Sequence, residues 1–164
     1  MTTTQPWLPP ALLLALSAGV LIQAGAADMR SLQSRYVGQP NGDILLKEPV
    51  VRAQLDAQVG RQLPRLLRNL NVASDVELIG GALAVSGNAA HQGGEEEAIV
   101  CITEVGTAPL VEAAIFSKGR ISIYAKAAQY EYLMRCVKDW VTQVNSGHRD
   151  RMVQPKNVQL LAKP

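Results

Sequence analysis

The apolar residues of this chain are spaced first as in a helix, then as in strands, and then as in a helix again. Between residues 49 and 70 they recur at near-helical spacing, which predicts a helix with one buried face. Gly60 and Pro64 predict a kink or a break in that helix near Arg61. Helical spacing returns at residues 129–145, which predicts a second amphipathic helix.

Four shorter runs between these helices are rich in β-branched and small residues and predict strands. The runs cover residues 76–85, 98–103, 110–116 and 120–125. Residues 117–119 are typical of a hairpin turn, whereas residues 28–43 and the tail after His148 show no regular pattern. This order predicts an α+β domain in which an antiparallel meander of four to five strands packs against helices.

The segment of residues 87–94, Gly-Asn-Ala-Ala-His-Gln-Gly-Gly, joins the first two predicted strands. Glycine near both ends allows a positive φ at both corners, and His91 carries the only large ring in the segment. The pattern therefore predicts a protruding loop with one histidine near its tip. Loops on rigid scaffolds often carry binding groups, although a loop histidine without function is the simpler interpretation.

Charge is distributed unevenly along the chain. The net charge of +2 does not by itself imply a nucleic-acid partner, and no basic stripe is interleaved with aromatic residues. Residues 75–112 hold seven acidic residues and no Lys or Arg. A negative hairpin of this kind would attract a cationic partner. The alternative is a solvated charged face, above all for Glu95, Glu96 and Glu97.

Two cysteines, Cys101 and Cys136, fall in a predicted strand and a predicted helix. In an oxidising compartment an even count favours one disulfide, and the alternative is two buried thiols too far apart to bond. The chain has no C-x-x-C pair, no His-Cys cluster and no second histidine near His91. The sequence therefore indicates neither a metal site nor a cofactor.

The first 26 residues have the pattern of a secretory signal peptide. An apolar run lies between Trp7 and Ile22 and is followed by the small-x-small pattern of residues 24–26. The run is too short for a membrane span, and a buried or anchoring helix is the alternative because the first ten residues lack Lys and Arg. We expect a periplasmic or secreted protein with one domain over residues 27–147, a basic tail over 148–164 and no stable membrane span after cleavage.

Six segments between Tyr36 and Trp140 carry a likeness to a known family. They are residues 44–46, 76–81, 85–87, 95–98, 111–115 and 120–124. Together with the order of elements and the histidine loop, they resemble the inhibitor of vertebrate lysozyme (Ivy) family. The resemblance implies an α+β inhibitor domain whose signature is a disulfide-closed loop, C-K-P-H-D-C, with a histidine that enters the muramidase active-site cleft.

On this chain the signature loop falls on residues 88–93, and His91 matches the histidine of the family. Asn88 and Gly93 occupy the two cysteine positions, and Ala90 and Gln92 also depart from the signature. Without the disulfide, ordering the loop on binding costs about 1 kcal/mol or more per residue. Hydrogen bonding by Asn88 is one way to recover part of that cost.

The resemblance implies an exported inhibitor of lysozyme-like glycoside hydrolases (muramidases) or lytic transglycosylases, and not an enzyme. His91 would insert between the catalytic carboxylates of the target, and a homodimer is allowed. The rest of the loop would shape it, and the three glutamates would steer the encounter. The predicted loop residues besides His91 are Asn88, Ala89, Ala90, Gln92 and Gly93; the predicted steering residues are Glu95, Glu96 and Glu97.

Two further interpretations are open. The chain could be a periplasmic protein-binding module on the same scaffold that has lost lysozyme inhibition. It could also be an enzyme in which His91, Glu95 and Glu96 act as acid and base or as metal ligands. Adjacent side chains on a strand point to opposite faces, which argues against the enzyme.

Overall fold

The computed structural model describes residues 29–40, 42–105, 108–146 and 156–162. The helices of this part are α1 (Met29–Tyr36), α2 (Pro49–Val59), α3 (Leu63–Arg68) and α4 (Arg135–Val144), with 3-10 helices at Gly42–Lys47, Gly60–Gln62 and Tyr130–Tyr132. Its strands are β1 (Val72–Ala73), β2 (Glu77–Ile79), β3 (Ala82–Asn88), β4 (Glu96–Val105), β5 (Ala108–Ser117), β6 (Arg120–Ala125) and β7 (Val158–Ala162).

The seven strands form one mixed sheet. Strands β3 to β6 are an antiparallel meander, β7 runs parallel to β6 at one edge, and β1 and β2 both pair with β3 at the other. Asn88 pairs with Glu97, and Ser117 pairs with both Glu96 and Arg120. The turn after β3 and the turn after β5 therefore lie side by side at one end of the sheet, which we call the loop end.

Helices cover both faces of the sheet. Val100 and Ile102 of β4 pack in a core with the apolar side of α2, whereas Ile99 and Cys101 pack in a second core with α4. Alternating side chains of one strand thus enter two different cores, as the two-residue period of a strand requires. The outcome is a three-layer scaffold that positions the loop end.

The predicted α+β class is confirmed, but the sheet is larger than predicted. It has seven strands rather than four to five, and the β6–β7 pair is parallel. The predicted break near Arg61 is confirmed, because a 3-10 turn separates α2 from α3. The hairpin turn at residues 117–119 is also confirmed, since Ser117 pairs with Arg120.

Four local predictions were wrong. Residues 76–85 form a hairpin, not one strand, because Gly80 and Gly81 turn the chain with φ of 60° and 84°. Residues 28–43 include α1, which buries only two apolar side chains and so shows no period. The tail contains β7. The last predicted helix begins at Arg135 rather than at residue 129, after a 3-10 turn.

The predicted signal peptide lies outside the described residues, as do residues 148–155 and 163–164 of the predicted tail. None of the helices in the described ranges has the length and apolar character needed to cross a bilayer.

Candidate functional site

The histidine loop lies between β3 and β4 at the loop end of the sheet. It is shorter than predicted, because β3 continues to Asn88 and β4 begins at Glu96. Of the two predicted glycine corners, only the second has a positive φ, at Gly94 (φ 84°). Gly87 lies inside β3, where a Cβ would be 2.5 Å from the carbonyl oxygen of Val72. Glycine at that position therefore allows β1 to approach closely.

Backbone hydrogen bonds close this loop several times. The Ala89 amide donates to the Glu96 carbonyl (2.9 Å), and the Gln92 amide donates to the Ala89 carbonyl (3.0 Å). The amides of Glu95 and Glu96 both donate to the Gln92 carbonyl, at 3.1 and 3.0 Å. The Asn88 side-chain amide donates to the Ala89 carbonyl at 2.8 Å. The loop is thus tied to its own base without a covalent bond between its ends.

His91 lies at the tip of the loop and is exposed. It is the third residue of the hydrogen-bonded turn from Ala89 to Gln92, and its φ of 61° is in the left-handed region. A positive φ at the third position alone is the signature of a type II turn, and histidine is one of the few non-glycine residues enriched there. The turn thus presents His91 as an exposed residue at the tip of the loop.

The two positions that hold cysteines in the signature loop are neighbours. A Cβ on Gly93 would lie 3.7 Å from Nδ2 and 3.8 Å from Cγ of Asn88. Gly93 itself is not in the left-handed region, so a larger residue there is compatible with the backbone. The Asn88 side chain thus occupies the space beside Gly93 and hydrogen-bonds within the loop.

Glu96 anchors the base of the loop. Its carboxylate accepts hydrogen bonds from the Ser117 hydroxyl and from Nδ2 of buried Asn69 (3.0 Å), and it lies 3.5 Å from the Arg68 guanidinium. Burial by itself would raise the pKa of Glu96, but these two hydrogen bonds and the charges of Arg65 and Arg68 outweigh it and hold the pKa below its ordinary value. Glu96 is therefore an internal partner rather than a free surface charge.

Glu97 also acts within the loop. Its Oε1 accepts a hydrogen bond of 2.6 Å from the Gly94 amide, which fixes the turn back into β4. Glu95 is exposed and takes no such part. Glu95 therefore differs from the other two predicted steering residues, whose carboxylates accept hydrogen bonds that hold the loop.

The uniformly negative hairpin expected from the charge pattern does not form. Glu112 is 2% exposed and accepts a hydrogen bond from the Met134 amide. Burial raises the pKa of Glu112, although that hydrogen bond and the charge of Lys138 act in the opposite direction. Glu104 pairs with Pro109 in the sheet register, far along β4 from the loop end. The acidic residues thus divide among the core, the loop base and the opposite end of the sheet.

Cationic side chains from elsewhere in the chain lie beside the loop. Arg68 and Lys118 line a cleft of about 620 Å³ together with Gln92, Gly94 and Glu95 of the loop. Arg68 comes from α3 and Lys118 from the turn between β5 and β6. The loop end therefore carries charges of both signs, although residues 75–112 of the sequence contain no Lys or Arg.

Cys101 of β4 and Cys136 of α4 are fully buried and are disulfide-bonded in the structure, with a Cα–Cα distance of 6.4 Å. The bond joins the sheet to the helix on its second face, away from the loop end. Among the described residues no three His, Cys, Asp or Glu side chains are grouped so as to hold a metal ion.

Comparison with known proteins identifies the scaffold. The family model described as "Inhibitor of vertebrate lysozyme (Ivy)" matches residues 50–146, which is more than half of the chain. The chain belongs to the Ivy family. No curated protein and no solved structure matches it.

The match covers α2 to α4, all of the antiparallel meander and the histidine loop. At the level of the Ivy family, the function is inhibition of lysozyme and the partner is a lysozyme-type glycoside hydrolase. A family of inhibitors also fits a non-enzymatic role for this chain.

Sequence reasoning missed several residues of the site in this Ivy-family chain. Asn69 is fully buried, and its Nδ2 also lies 3.3 Å from the carbonyl oxygens of Glu97 and Phe116. Its position directly after α3 gave no signal of contact with two strands that follow much later in the chain. Lys118 lies in the predicted hairpin turn and Arg68 in the first predicted helix, and sequence spacing does not show that both lie beside the loop.

Proposed function

We propose that this Ivy-family protein is exported and inhibits a lysozyme-like muramidase or a lytic transglycosylase by inserting His91 into the active-site cleft. The observation that carries this proposal is the exposed imidazole at the tip of a hydrogen-bonded turn in a family of lysozyme inhibitors. Residues 1–26 would direct export, and residues 27–147 would form the inhibitor domain.

The chemistry of the target explains why a histidine is suited to this position. Glycoside hydrolases of this kind place two carboxyl groups on either side of the bond that they cleave. An imidazole between them donates a hydrogen bond to one or to both, and its protonated form is favoured by their negative charge. The same imidazole occupies the position that the sugar needs, so binding and exclusion of substrate are one event.

The hydrogen bonds of the loop support a role without the signature disulfide. Binding through a flexible segment loses affinity because several residues must be ordered. Here the Ala89, Gln92, Glu95 and Glu96 amides already have partners within the loop, and Glu97 holds Gly94. Part of the ordering cost is thus met when the protein folds. Asn88, Ala89, Ala90, Gln92 and Gly93 would shape the loop, and Glu95 would remain as the acidic residue for the encounter.

The experiment is a lytic assay of the purified protein against a panel of animal and bacterial muramidases and lytic transglycosylases. His91→Asn is the informative variant, because asparagine tolerates a positive φ and removes the imidazole. His91→Ala would also strain the turn and is less informative. We expect the wild type to inhibit at least one enzyme and His91→Asn to lose that inhibition.

Lys126→Ala is the control, since Lys126 is exposed and follows β6 at the end of the sheet opposite the loop. It should retain inhibition. Equal inhibition by the wild type and His91→Asn would refute the insertion of His91. A wild type that binds an exported protein but inhibits no enzyme would favour the binding-module alternative, which the absence of both loop cysteines keeps open.

A further inference from the structure

A second cleft lies at the loop end, on the far side of Lys118 from the histidine loop. It has a volume of about 360 Å³, and its lining includes Arg65 of α3, Lys118 of the turn and Arg120 of β6. The other polar residues of the lining are Gln62, Ser117, Ser122 and Tyr124. Within the part of the chain that the structure describes, no carboxylate lines this cleft.

The polar groups of the cleft are predominantly hydrogen-bond donors. Among the described residues, Lys118 and Arg120 have no carboxylate within 4.0 Å, whereas the arginine Arg68 nearby is paired with Glu96. Burial raises the pKa of Tyr124, although Arg65 and Ser122 act in the opposite direction, so its hydroxyl stays protonated. Two cations without a carboxylate partner are suited to an anion.

This cleft is continuous with the surface around the loop. Lys118 lines both this cleft and the one that reaches Gln92 and Gly94, and a third cleft continues from Lys118 and Arg120 to Lys156. The linings of the three clefts together hold five basic and two acidic residues. Arg68 and Glu96 pair with each other, which leaves four basic residues and Glu95 among the described residues of these linings. A partner that receives the loop must therefore lie against a positive surface.

We propose that this cleft receives carboxylate side chains from the rim of the target enzyme's active site, so that the target is a muramidase with an acidic rim. The proposal rests on the proposed function, because it is the inserted loop that brings the rim against Lys118 and Arg120. The acidic residues of segment 75–112 led us to expect a cationic partner, whereas this proposal predicts an acidic one. Complementary charge of this kind raises the association rate, and added salt reduces that increase by screening the charges.

The test uses a muramidase that the full chain inhibits, with association and dissociation rates measured at several salt concentrations. The variants are Lys118→Glu, Arg120→Glu and the double variant. Lys126→Glu is the matched control, because Lys126 is exposed and follows β6 at the end of the sheet opposite the loop. At low salt we expect the double variant to associate with the muramidase at least about tenfold more slowly than the wild type does. Electrostatic steering commonly changes association rates by this factor or more. Lys126→Glu should behave as the wild type, and thermal unfolding should show that every variant is folded.

The outcomes separate this inference from the proposed function. If inhibition depends on His91 but the double variant matches Lys126→Glu at every salt concentration, the inference fails and the proposed function stands. If the wild type inhibits no enzyme, or if His91→Asn inhibits equally, both fail. Binding of soluble anionic peptidoglycan fragments to the protein alone, lost in the double variant, would assign the cleft to glycan and overturn the inference. A steep salt dependence that the double variant loses would support it.

Discussion

Asn88 and Gly93 face each other across the base of the histidine loop, and a Cβ on Gly93 would lie 3.7 Å from the side-chain nitrogen of Asn88. The amide group of the Asn88 side chain therefore lies directly beside the position that a side chain at residue 93 would enter. The two positions at which the Ivy signature has cysteines are therefore already juxtaposed in a chain that has none there. The loop keeps the shape of a closed ring and is held by hydrogen bonds instead.

The first prediction follows from this juxtaposition. The Asn88→Cys/Gly93→Cys double variant should form the loop disulfide on oxidation and should inhibit its target about tenfold more tightly, because less conformational entropy is lost on binding. The measurement is the inhibition constant before and after oxidation, with a thiol count. The two single cysteine variants are the controls. A loop that closes without any gain in affinity would show that the hydrogen bonds already order it fully.

The second prediction concerns the base of the loop. Asn69→Ala should lower the free energy of unfolding by about 1–3 kcal/mol, because it leaves the Glu97 and Phe116 carbonyls and the Glu96 carboxylate short of a buried donor. Chemical denaturation provides the measurement. Asn71→Ala is the matched control, since Asn71 is exposed. Equal stability of the two variants would contradict the anchoring role of Asn69.

The third prediction is a pH dependence that arises from buried Glu112. Its folded-state pKa is raised, so the folded state favours the protonated form, and the associated stability is present at low pH and is lost as pH rises through the folded pKa. Glu112→Gln keeps an oxygen that can accept the Met134 amide. Its free energy of unfolding should exceed that of the wild type at neutral pH. The two free energies should become similar at pH values below the ordinary carboxyl pKa. The lowered pKa of Glu96 gives a pH dependence of stability with the opposite sign. Both proteins contain Glu96, so this contribution cancels in the difference between their free energies of unfolding. A stability difference that does not vary with pH would refute the assignment.

The fourth prediction concerns the bond between Cys101 and Cys136, which closes a sequence separation of 35 residues. Losing the cross-link should lower the free energy of unfolding by about 3–4 kcal/mol through the larger entropy of the unfolded chain. The Cys101→Ala/Cys136→Ala variant tests this in denaturant, beside the wild type with and without reductant. Because these residues are far from the loop end, inhibition by the folded variant should be unchanged. Two free thiols in the oxidised wild type would contradict the bond.

Much of the scaffold was predictable because its core elements have clear periods. The strand of residues 120–125 was bounded correctly, and the split of the first helix followed from Gly60 and Pro64. The hairpin β2–β3 was missed because its two glycines interrupt an otherwise apolar run. Strand β7 was missed because its side chains are only partly buried and show no alternation strong enough to detect.

The electrostatics of the site could not be predicted from the sequence. The segment of residues 75–112 lacks basic residues, yet Arg68 precedes it and Lys118 follows it in the chain. Only the fold brings both to the loop end and sends Glu112 into the core. The net charge of a sequence segment gives the charge of the surface that a partner contacts only when the residues of that segment are also neighbours in space.

The most direct test of the central claim is a structure of this protein bound to a muramidase that it inhibits. The distance to measure is from the imidazole nitrogens of His91 to the catalytic carboxylate oxygens. The account predicts hydrogen-bond distances of about 2.6–3.2 Å to at least one of those carboxylates. A complex in which the histidine loop lies outside the cleft, with substrate access blocked by another surface, would contradict it.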